Sequence, residues 1–81
     1  MRHYVYILKC SDGTLYTGYT SDIVKRVFAH NNLKSGAKYT KARRPVKLVY
    51  SEKYRTKSKS LKREITIKKM ERKDKIKLIN R

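Results

Sequence analysis

The chain is poor in several residue types that give small proteins special chemistry. Its 81 residues include one cysteine, one proline, one phenylalanine and no tryptophan. Because Cys10 has no cysteine partner, an internal disulfide is excluded, and without a CxxC or Cys/His cluster a zinc site is not indicated. We therefore expect a reduced setting and a core whose aromatic packing comes mainly from the seven tyrosines.

Long apolar runs are also missing. The stretch VYIL at residues 5–8 is too short for the hydrophobic region of a secretory signal, and turn-forming residues follow it. No run approaches the roughly 20 apolar residues that a membrane-spanning helix needs. The sequence therefore predicts a soluble, cytoplasmic protein.

Acidic residues are scarce as well. Six aspartates and glutamates stand against 23 lysines and arginines, which gives a formal net charge of +17 at pH 7. Such an excess repels itself in a compact fold unless a polyanion neutralises it. Nucleic acid is the leading partner, an anionic membrane surface is the second, and charge that serves only solubility is the alternative. The length predicts a single domain over residues 1–81, and we expect a monomer.

The residue pattern along the chain predicts an α+β fold. Segments rich in tyrosine, valine and isoleucine predict strands, and capping residues followed by mixed apolar and basic residues predict helices. The predicted strands cover 3–10, 14–20 and 46–54. The predicted helices run from 20 or 21 to about 31, from 56, 58 or 60 to about 72, and from 74 through Ile79. Residues 32–44 read as an exposed loop, so the element order is ββαβαα with a small antiparallel sheet.

The turn at Ser11-Asp12-Gly13 decides which tyrosines share a face of the sheet. A two-residue turn at Asp12-Gly13 would put Tyr6 and Tyr16 on opposite faces. A three-residue loop with a left-handed Gly13 pairs Tyr6 with Gly18 and puts Tyr4, Tyr6 and Tyr16 on one face. Glycine inside a strand marks either a bulge or a close approach by another backbone or a ligand, and both remain open for Gly18.

The first predicted helix combines an apolar arc with two polar residues. Ile23, Val24, Val27 and Phe28 form the arc, and Arg26 and His30 border it four residues apart. An arginine there can clamp a phosphate, and a histidine can donate to one or move a proton. The alternative is an arginine that extends into solvent and a histidine at the rim of the core.

The second long helix carries an acid in an unexpected place. Glu64 lies within a partly apolar face beside Leu61, Ile65 and Ile67, in a chain with very few acids. One reason for it is a hard oxygen ligand for a divalent cation, with water and substrate phosphate completing the coordination. The alternative is an ion pair along the helix with Lys68.

Taken together, these residues resemble the GIY-YIG nuclease family, in particular its small single-domain UPF0213-type members. The first family motif falls on Tyr4-Val5-Tyr6 and the second on Tyr16-Thr17-Gly18. The segment TSDIVKRVFAHN brings Arg26 and His30 at the family's spacing, and Glu64 takes the acidic position. The similarity covers essentially the whole chain.

The resemblance implies a three-stranded antiparallel sheet flanked by helices and one site for metal-dependent phosphodiester hydrolysis. Tyr16 would be the general base or would orient the attacking water, and Tyr6 would position water and phosphate. Arg26 would stabilise the phosphate, with His30 assisting nearby. Glu64 would be the only protein ligand of a single Mg²⁺ or Mn²⁺.

The chain departs from the family pattern at several positions. Tyr4 and Val5 replace the first two motif residues, Thr17 replaces the central isoleucine of the second motif, and Tyr19 replaces a lysine that many members have. No appended DNA-binding domain is visible in the sequence, so little sequence specificity is expected. The basic segment GAKYTKARRP predicts nucleic-acid contacts, with Tyr39 stacking on a base. These contacts comprise Lys38, Tyr39, Lys41, Arg43 and Arg44.

Two classes of function follow from this reading. The first is a nuclease with a repair or recombination role that acts on DNA, including branched, nicked or single-stranded forms. RNA is not excluded, and no membrane partner is expected. The second is a nucleic-acid-binding module that keeps the fold without the chemistry. The charge supports both equally, and only the constellation of Tyr6, Tyr16, Arg26 and Glu64 favours the enzyme.

Overall fold

The computed structural model describes residues 2–81, which form a three-stranded antiparallel sheet and four helices. The strands are β1 (His3–Lys9), β2 (Leu15–Thr20) and β3 (Lys47–Tyr54), and β1 lies in the middle of the order β2-β1-β3. The helices are α1 (Ile23–Asn32), α2 (Lys38–Lys41), α3 (Lys57–Lys69) and α4 (Arg72–Ile79). The α+β class and the three-stranded sheet are therefore as predicted.

The hairpin between β1 and β2 has the three-residue loop. Gly13 adopts a left-handed φ of 84°, and the Cys10 N–H donates to the Thr14 carbonyl at 2.9 Å. The Asp12 carboxylate stabilises the turn by accepting from the Thr14 N–H at 3.1 Å and from its hydroxyl at 2.6 Å. Tyr6 consequently pairs with Gly18, as the sequence predicts.

The sheet has a core on each face. On one face, Val5 and Ile7 of β1 are buried against Ile67 of α3 and Leu78 of α4. On the other face, the buried side chains are Tyr6, Leu8, Cys10 and Val46, and the half-buried Tyr16 and Val27 pack against them. Because side chains alternate along a strand, the central strand β1 supplies both cores.

The helix termini differ slightly from the prediction. Asp22 caps α1 by accepting from the Lys25 N–H at 3.1 Å, whereas Thr20 and Ser21 were the expected caps. Thr20 lies two residues before the cap, and its hydroxyl instead accepts from the Asp22 N–H at 3.0 Å. Thr56 caps α3 as one of the predicted alternatives. The last helix begins at Arg72 after Glu71, so Asp74 lies in its first turn and is not its cap.

The sequence predicted an exposed loop over residues 32–44, and this prediction is wrong in part. The segment contains α2, which makes the order ββααβαα. Arg44 holds the segment against α1 by donating to the carbonyl oxygens of His30 at 2.5 Å, Leu33 at 2.6 Å and Ala29 at 3.3 Å. These carbonyls lie at the end of α1, where the Ala29 carbonyl also accepts from the Leu33 N–H at 3.0 Å, and Arg44 acts there as a distant C-terminal cap.

The predicted apolar arc of α1 is only partly buried. Val24 is 81% exposed and Phe28 is 58% exposed, whereas Ala29 and His30 are buried. The helix therefore faces the sheet with the side that carries His30, and the only phenylalanine points away from both cores. Within residues 2–81, no helix is both long and apolar enough to cross a bilayer. The predicted cytoplasmic location remains a prediction.

Candidate active site

Gly18 is present because the Tyr6 side chain needs its space. The register of β1 and β2 is continuous through this pair, so Gly18 is not a bulge. A Cβ atom at Gly18 would collide with the hydroxyl end of Tyr6. The close approach is thus made by the Tyr6 side chain, whereas the sequence suggested another backbone or a ligand.

A buried chain of hydrogen bonds runs from Tyr6 into α2. The Tyr6 hydroxyl lies 2.8 Å from Nε2 of His30, and Nδ1 of His30 lies 2.8 Å from the Thr40 hydroxyl. The Thr40 hydroxyl lies 2.9 Å from the Ala37 carbonyl oxygen. Tyr6, His30 and Thr40 are at most 1% exposed. The sequence left open whether His30 was a rim residue, and the fold puts it in the interior.

Both titratable groups of this chain are uncharged at neutral pH. Burial lowers the pKa of His30 to about 4, and the positive charges of Arg26 and Arg44 act in the same direction. Burial also raises the pKa of Tyr6 to about 12, although the neighbouring Arg26 opposes that rise. Tyr6 is therefore a hydrogen-bonding group that keeps its proton, because its phenolate is strongly disfavoured.

Tyr16 lies next to this pair but is less enclosed. Its ring meets the His30 ring edge-on at a centroid distance of 5.2 Å and lies 6.5 Å from the Tyr6 ring. The Tyr39 ring stacks on it at 5.9 Å. Because Tyr16 is half-buried, it combines a fixed ring with access to solvent, which suits a group that contacts water or substrate.

Arg26 and Glu64 bring opposite charges to the same neighbourhood. Arg26 donates to the Ser35 carbonyl at 3.1 Å, and its charge acts on both Tyr6 and His30. Glu64, on α3, lies near enough for its charge to act on Tyr6. The predicted site residues Tyr6, Tyr16, Arg26, His30 and Glu64 therefore come from β1, β2, α1 and α3 to one region.

Glu64 also forms the ion pair with Lys68 that the sequence offered as the alternative to a metal ligand. Its carboxylate lies 3.4 Å from the Lys68 ammonium, and its side chain is 17% exposed against 52% for Lys68. The two roles are compatible, since an exposed lysine can leave a carboxylate at little cost.

The donor set in this region suits one loosely held hard cation. Within the described residues, no three His, Cys, Asp or Glu side chains come together. A zinc site with its several nitrogen or sulfur ligands is therefore not supported by these residues. A single carboxylate fits Mg²⁺ or Mn²⁺, which keep several waters and take oxygen ligands from a phosphate.

The side chains predicted to contact nucleic acid differ in exposure and in the contacts they already make within the protein. Lys38 and Lys41 are exposed. The Arg43 guanidinium lies 4.0 Å from the centre of the Tyr39 ring and donates to Asp12 at 3.0 Å and to the Tyr39 carbonyl at 2.9 Å. Tyr39 thus contacts both Tyr16 and Arg43 and is still 39% exposed. Arg44 caps α1, as described above.

Comparison with known proteins identifies the family. The family model described as the GIY-YIG catalytic domain matches residues 2–77. The chain belongs to the GIY-YIG family. It is 61% identical over 79 residues to a UPF0213 protein of Staphylococcus saprophyticus, which covers 98% of this chain and 95% of that protein. The GIY-YIG family is of nuclease type, and the chain is a small member of its UPF0213 kind.

Solved structures of relatives agree with the fold. A solution NMR structure of a UPF0213 protein from Bacillus halodurans is similar with a TM-score of 0.63 and 41% identity, over 99% of this chain and 84% of that one. A solution NMR structure of a protein from E. faecalis is similar with a TM-score of 0.63 and 44% identity, over 93% of this chain and 79% of that one.

Sequence reasoning missed the residues that support this GIY-YIG site from α2 and from the hairpin turn. Thr40 was read as part of a polar loop, and Asp12 only as a turn residue. A threonine between basic residues has no pattern that distinguishes a buried hydrogen-bond partner from a solvated one. No enclosed pocket is found within residues 2–81.

Proposed function

We propose that this protein is a divalent-metal-dependent endonuclease that hydrolyses phosphodiester bonds in DNA with little sequence specificity. We further propose that it prefers branched, nicked or single-stranded forms, as in repair or recombination. The observation that carries the proposal is the gathering of Tyr16, Arg26, His30 and Glu64 around Tyr6. The guanidinium suits a phosphate and the carboxylate suits a divalent cation, so the two charges beside this phenol–imidazole pair support hydrolysis of a phosphodiester.

The side chains suit different parts of the reaction. Arg26 would bind the charged phosphate, for which a guanidinium offers several donors. Tyr16, half-exposed and held by its ring, would orient the attacking water or take its proton. Tyr6 keeps its own proton, so we assign it to positioning, with His30 as its partner. A cation held by Glu64 would supply positive charge to the phosphate and acidify a nearby water.

Nucleic-acid binding would come mainly from charge. A net charge of +17 on 81 residues attracts a polyanion over the whole surface. Such binding releases condensed counterions, so it should weaken steeply with salt. Because binding through charge carries no sequence information, we expect a preference for DNA form over sequence.

The test is Glu64→Gln compared with Glu71→Gln. Both changes remove one carboxylate, but Glu71 is 75% exposed and pairs only with Lys73 at 3.5 Å. Plasmid, branched and single-stranded DNA are incubated with each protein in Mg²⁺ or Mn²⁺, with EDTA as the metal-free control. Cleavage should collapse in Glu64→Gln at matched DNA occupancy and persist in Glu71→Gln. Equal cleavage by the two variants would remove Glu64 from the site.

A second candidate function is a binding module without catalysis. It is favoured by the Glu64–Lys68 ion pair, which uses the carboxylate without a metal, and by Tyr19 at the position of the family lysine. Under this alternative, wild-type protein binds DNA with the same steep salt dependence. It then cleaves none of the substrates with either metal.

A further inference from the structure

The hydrogen-bond chain through His30 has only one arrangement of protons that leaves no donor unpaired. Tyr6 and Thr40 each carry one hydroxyl proton, and a neutral imidazole carries a proton on one of its two nitrogens. Within the described residues, the hydrogen-bond partner of the Tyr6 hydroxyl is Nε2 of His30. The partners of the Thr40 hydroxyl are Nδ1 of His30 and the Ala37 carbonyl oxygen.

In the first arrangement, Nδ1 carries the proton. Tyr6 then donates to Nε2, Nδ1–H donates to the Thr40 oxygen, and Thr40 donates to the Ala37 carbonyl. Every donor has an acceptor.

In the second arrangement, Nε2 carries the proton. Nε2–H then donates to the Tyr6 oxygen and Thr40 donates to Nδ1. The Tyr6 proton is left without an acceptor beside Arg26, which can only donate. A buried donor without a partner costs far more than a hydrogen bond gains, so the first arrangement is favoured.

The fold holds Thr40 firmly in the place that this arrangement requires. Gly36 is buried against α1, and a Cβ atom there would meet the Ala29 carbonyl oxygen at 2.6 Å and Cα of His30 at 2.9 Å. On the other side of α2, Arg44 donates to the carbonyls of Ala29 and His30. The segment from 36 to 44 is therefore fixed at both ends to the turn of α1 that carries His30.

We propose that Thr40 is a positioning residue that fixes the tautomer of His30, so that Nε2 stays unprotonated and accepts the Tyr6 proton. This arrangement directs the Tyr6 proton toward His30 and leaves the Tyr6 oxygen as an acceptor for Arg26, water or a donor on the substrate. The catalytic part of this role rests on the nuclease activity proposed above. The tautomer itself does not depend on that activity.

The first measurement is the tautomer of His30 in the wild-type protein. Long-range ¹H–¹⁵N NMR correlations on ¹⁵N-labelled protein at pH 7 distinguish a protonated Nδ1 from a protonated Nε2. We expect a single tautomer with the proton on Nδ1. A protonated Nε2 in the wild type would overturn the proposal outright.

The second measurement uses Thr40→Val, which keeps the shape of the side chain but removes its hydroxyl. Each tautomer then leaves one buried donor unpaired, so both should populate. Thr40→Ser keeps the hydroxyl and should keep the wild-type tautomer. Thr66→Val is the matched control, because the Thr66 hydroxyl is exposed and donates only to the Lys62 carbonyl at 3.1 Å. An unchanged tautomer in Thr40→Val would overturn the assignment.

Tyr6→Phe tests whether Thr40 or Tyr6 sets the tautomer of His30. This variant also tests the proposal if Thr40→Val does not fold. Without the phenol, Thr40 still accepts from Nδ1–H, so the wild-type tautomer should persist. A shift to Nε2–H in this variant would mean that Tyr6 sets the tautomer, which contradicts the proposal.

Cleavage provides the functional readout. The rate at saturating DNA should fall roughly ten- to a hundred-fold in Thr40→Val, as when a partner that orients a metal-bound histidine is removed. DNA affinity should not change, and Thr40→Ser should restore the rate. If the tautomer shifts while cleavage stays at the wild-type level, the positioning role is wrong. If wild-type protein cleaves nothing, the proposed function fails and the NMR result still decides the tautomer.

Discussion

The two faces of the sheet each carry two tyrosines around one titratable side chain, but the two clusters are completed in different ways. On the face of α3 and α4, the Glu52 carboxylate accepts from the hydroxyls of Tyr50 and Tyr54, the latter at 2.6 Å. It also accepts two bonds from the Arg63 guanidinium, at 2.8 and 3.1 Å. On the opposite face, His30 joins Tyr6 to Thr40 and carries no charge.

From this difference we infer a structural role for the Glu52 cluster. The charge of Glu52 is balanced by Arg63, and both tyrosine hydroxyls donate to its carboxylate, so the acid is satisfied within the cluster. Although burial acts to raise the pKa of Glu52, the hydrogen bonds from Arg63, Tyr50 and Tyr54 lower it to about 2. The opposite face keeps Tyr16 and Arg26 partly accessible, with Glu64 nearby. That face has capacity left for a ligand.

The largest difference between the clusters should appear when one tyrosine hydroxyl is removed from each. Tyr16→Phe keeps the ring stacked against His30 and Tyr39 but should lower the cleavage rate on the order of 10²-fold or more, the usual contribution of a positioned proton-transfer group. Tyr54→Phe should leave cleavage intact and lower the free energy of unfolding by about 1–3 kcal/mol, since it removes a bond to a charged acceptor.

Single-turnover cleavage and urea unfolding of both variants test this contrast. A similar loss of cleavage in the two variants would mean that the clusters do not differ in function.

The two clusters should lose their contributions to stability in two successive pH ranges as the protein is acidified. The pKa of His30 is about 4 in the folded protein and 6.5 ordinarily, so the unfolded chain binds the extra proton between these values. Stability should therefore fall as the pH drops from 6.5 to 4. The pKa of Glu52 is about 2 against an ordinary 4.5, so its contribution is lost as the pH drops from 4.5 to 2. Each contribution is at most about 3 kcal/mol.

Urea unfolding at intervals between pH 7 and pH 2 measures both ranges. His30→Gln should flatten the curve above pH 4, and Glu52→Gln should flatten it below pH 4.5 while lowering stability at pH 7. If His30→Gln flattens the curve below pH 4, or Glu52→Gln flattens it above pH 4.5, the assignment of these pH ranges to the two residues is wrong.

The smallest effects should come from the two arginines that follow α2. Arg44→Ala removes the donor to three carbonyls of α1 and should cost about 1–3 kcal/mol of stability. Arg43→Ala should instead weaken binding to all DNA sequences by a similar small factor and reduce the salt slope by roughly one unit. Fluorescence anisotropy over a salt series, together with urea unfolding, separates them. A larger loss of DNA affinity in Arg44→Ala than in Arg43→Ala would reverse these roles.

Much of the candidate site follows from local sequence patterns. The Asp12-Gly13 turn fixes the register of the hairpin, because a left-handed residue there suits a three-residue loop. Once the register is fixed, the two-residue period puts Tyr6 and Tyr16 on one face and pairs Tyr6 with Gly18. The helical spacing of Arg26 and His30 likewise needs only one element.

Other features required contacts between distant segments. The exposure of Val24 and Phe28 depends on which side of α1 meets the sheet, and the side that meets it carries Val27 and the buried His30. Thr40, Gly36 and Arg44 acquire their roles only because the segment after α1 folds back onto it. Nothing in their own neighbourhood along the chain indicates burial.

The sequence by itself determined the register of the hairpin, the basic character of the surface and the membership of the family, because these depend on turn geometry, composition and spacing along one chain. Only the tertiary structure decided that His30 is buried and neutral, that Thr40 is its partner and that Arg44 serves the fold. The physical reason is that burial and hydrogen-bond partnership depend on which distant segments pack together, and a polar side chain has the same local pattern whether it meets water or another polar group.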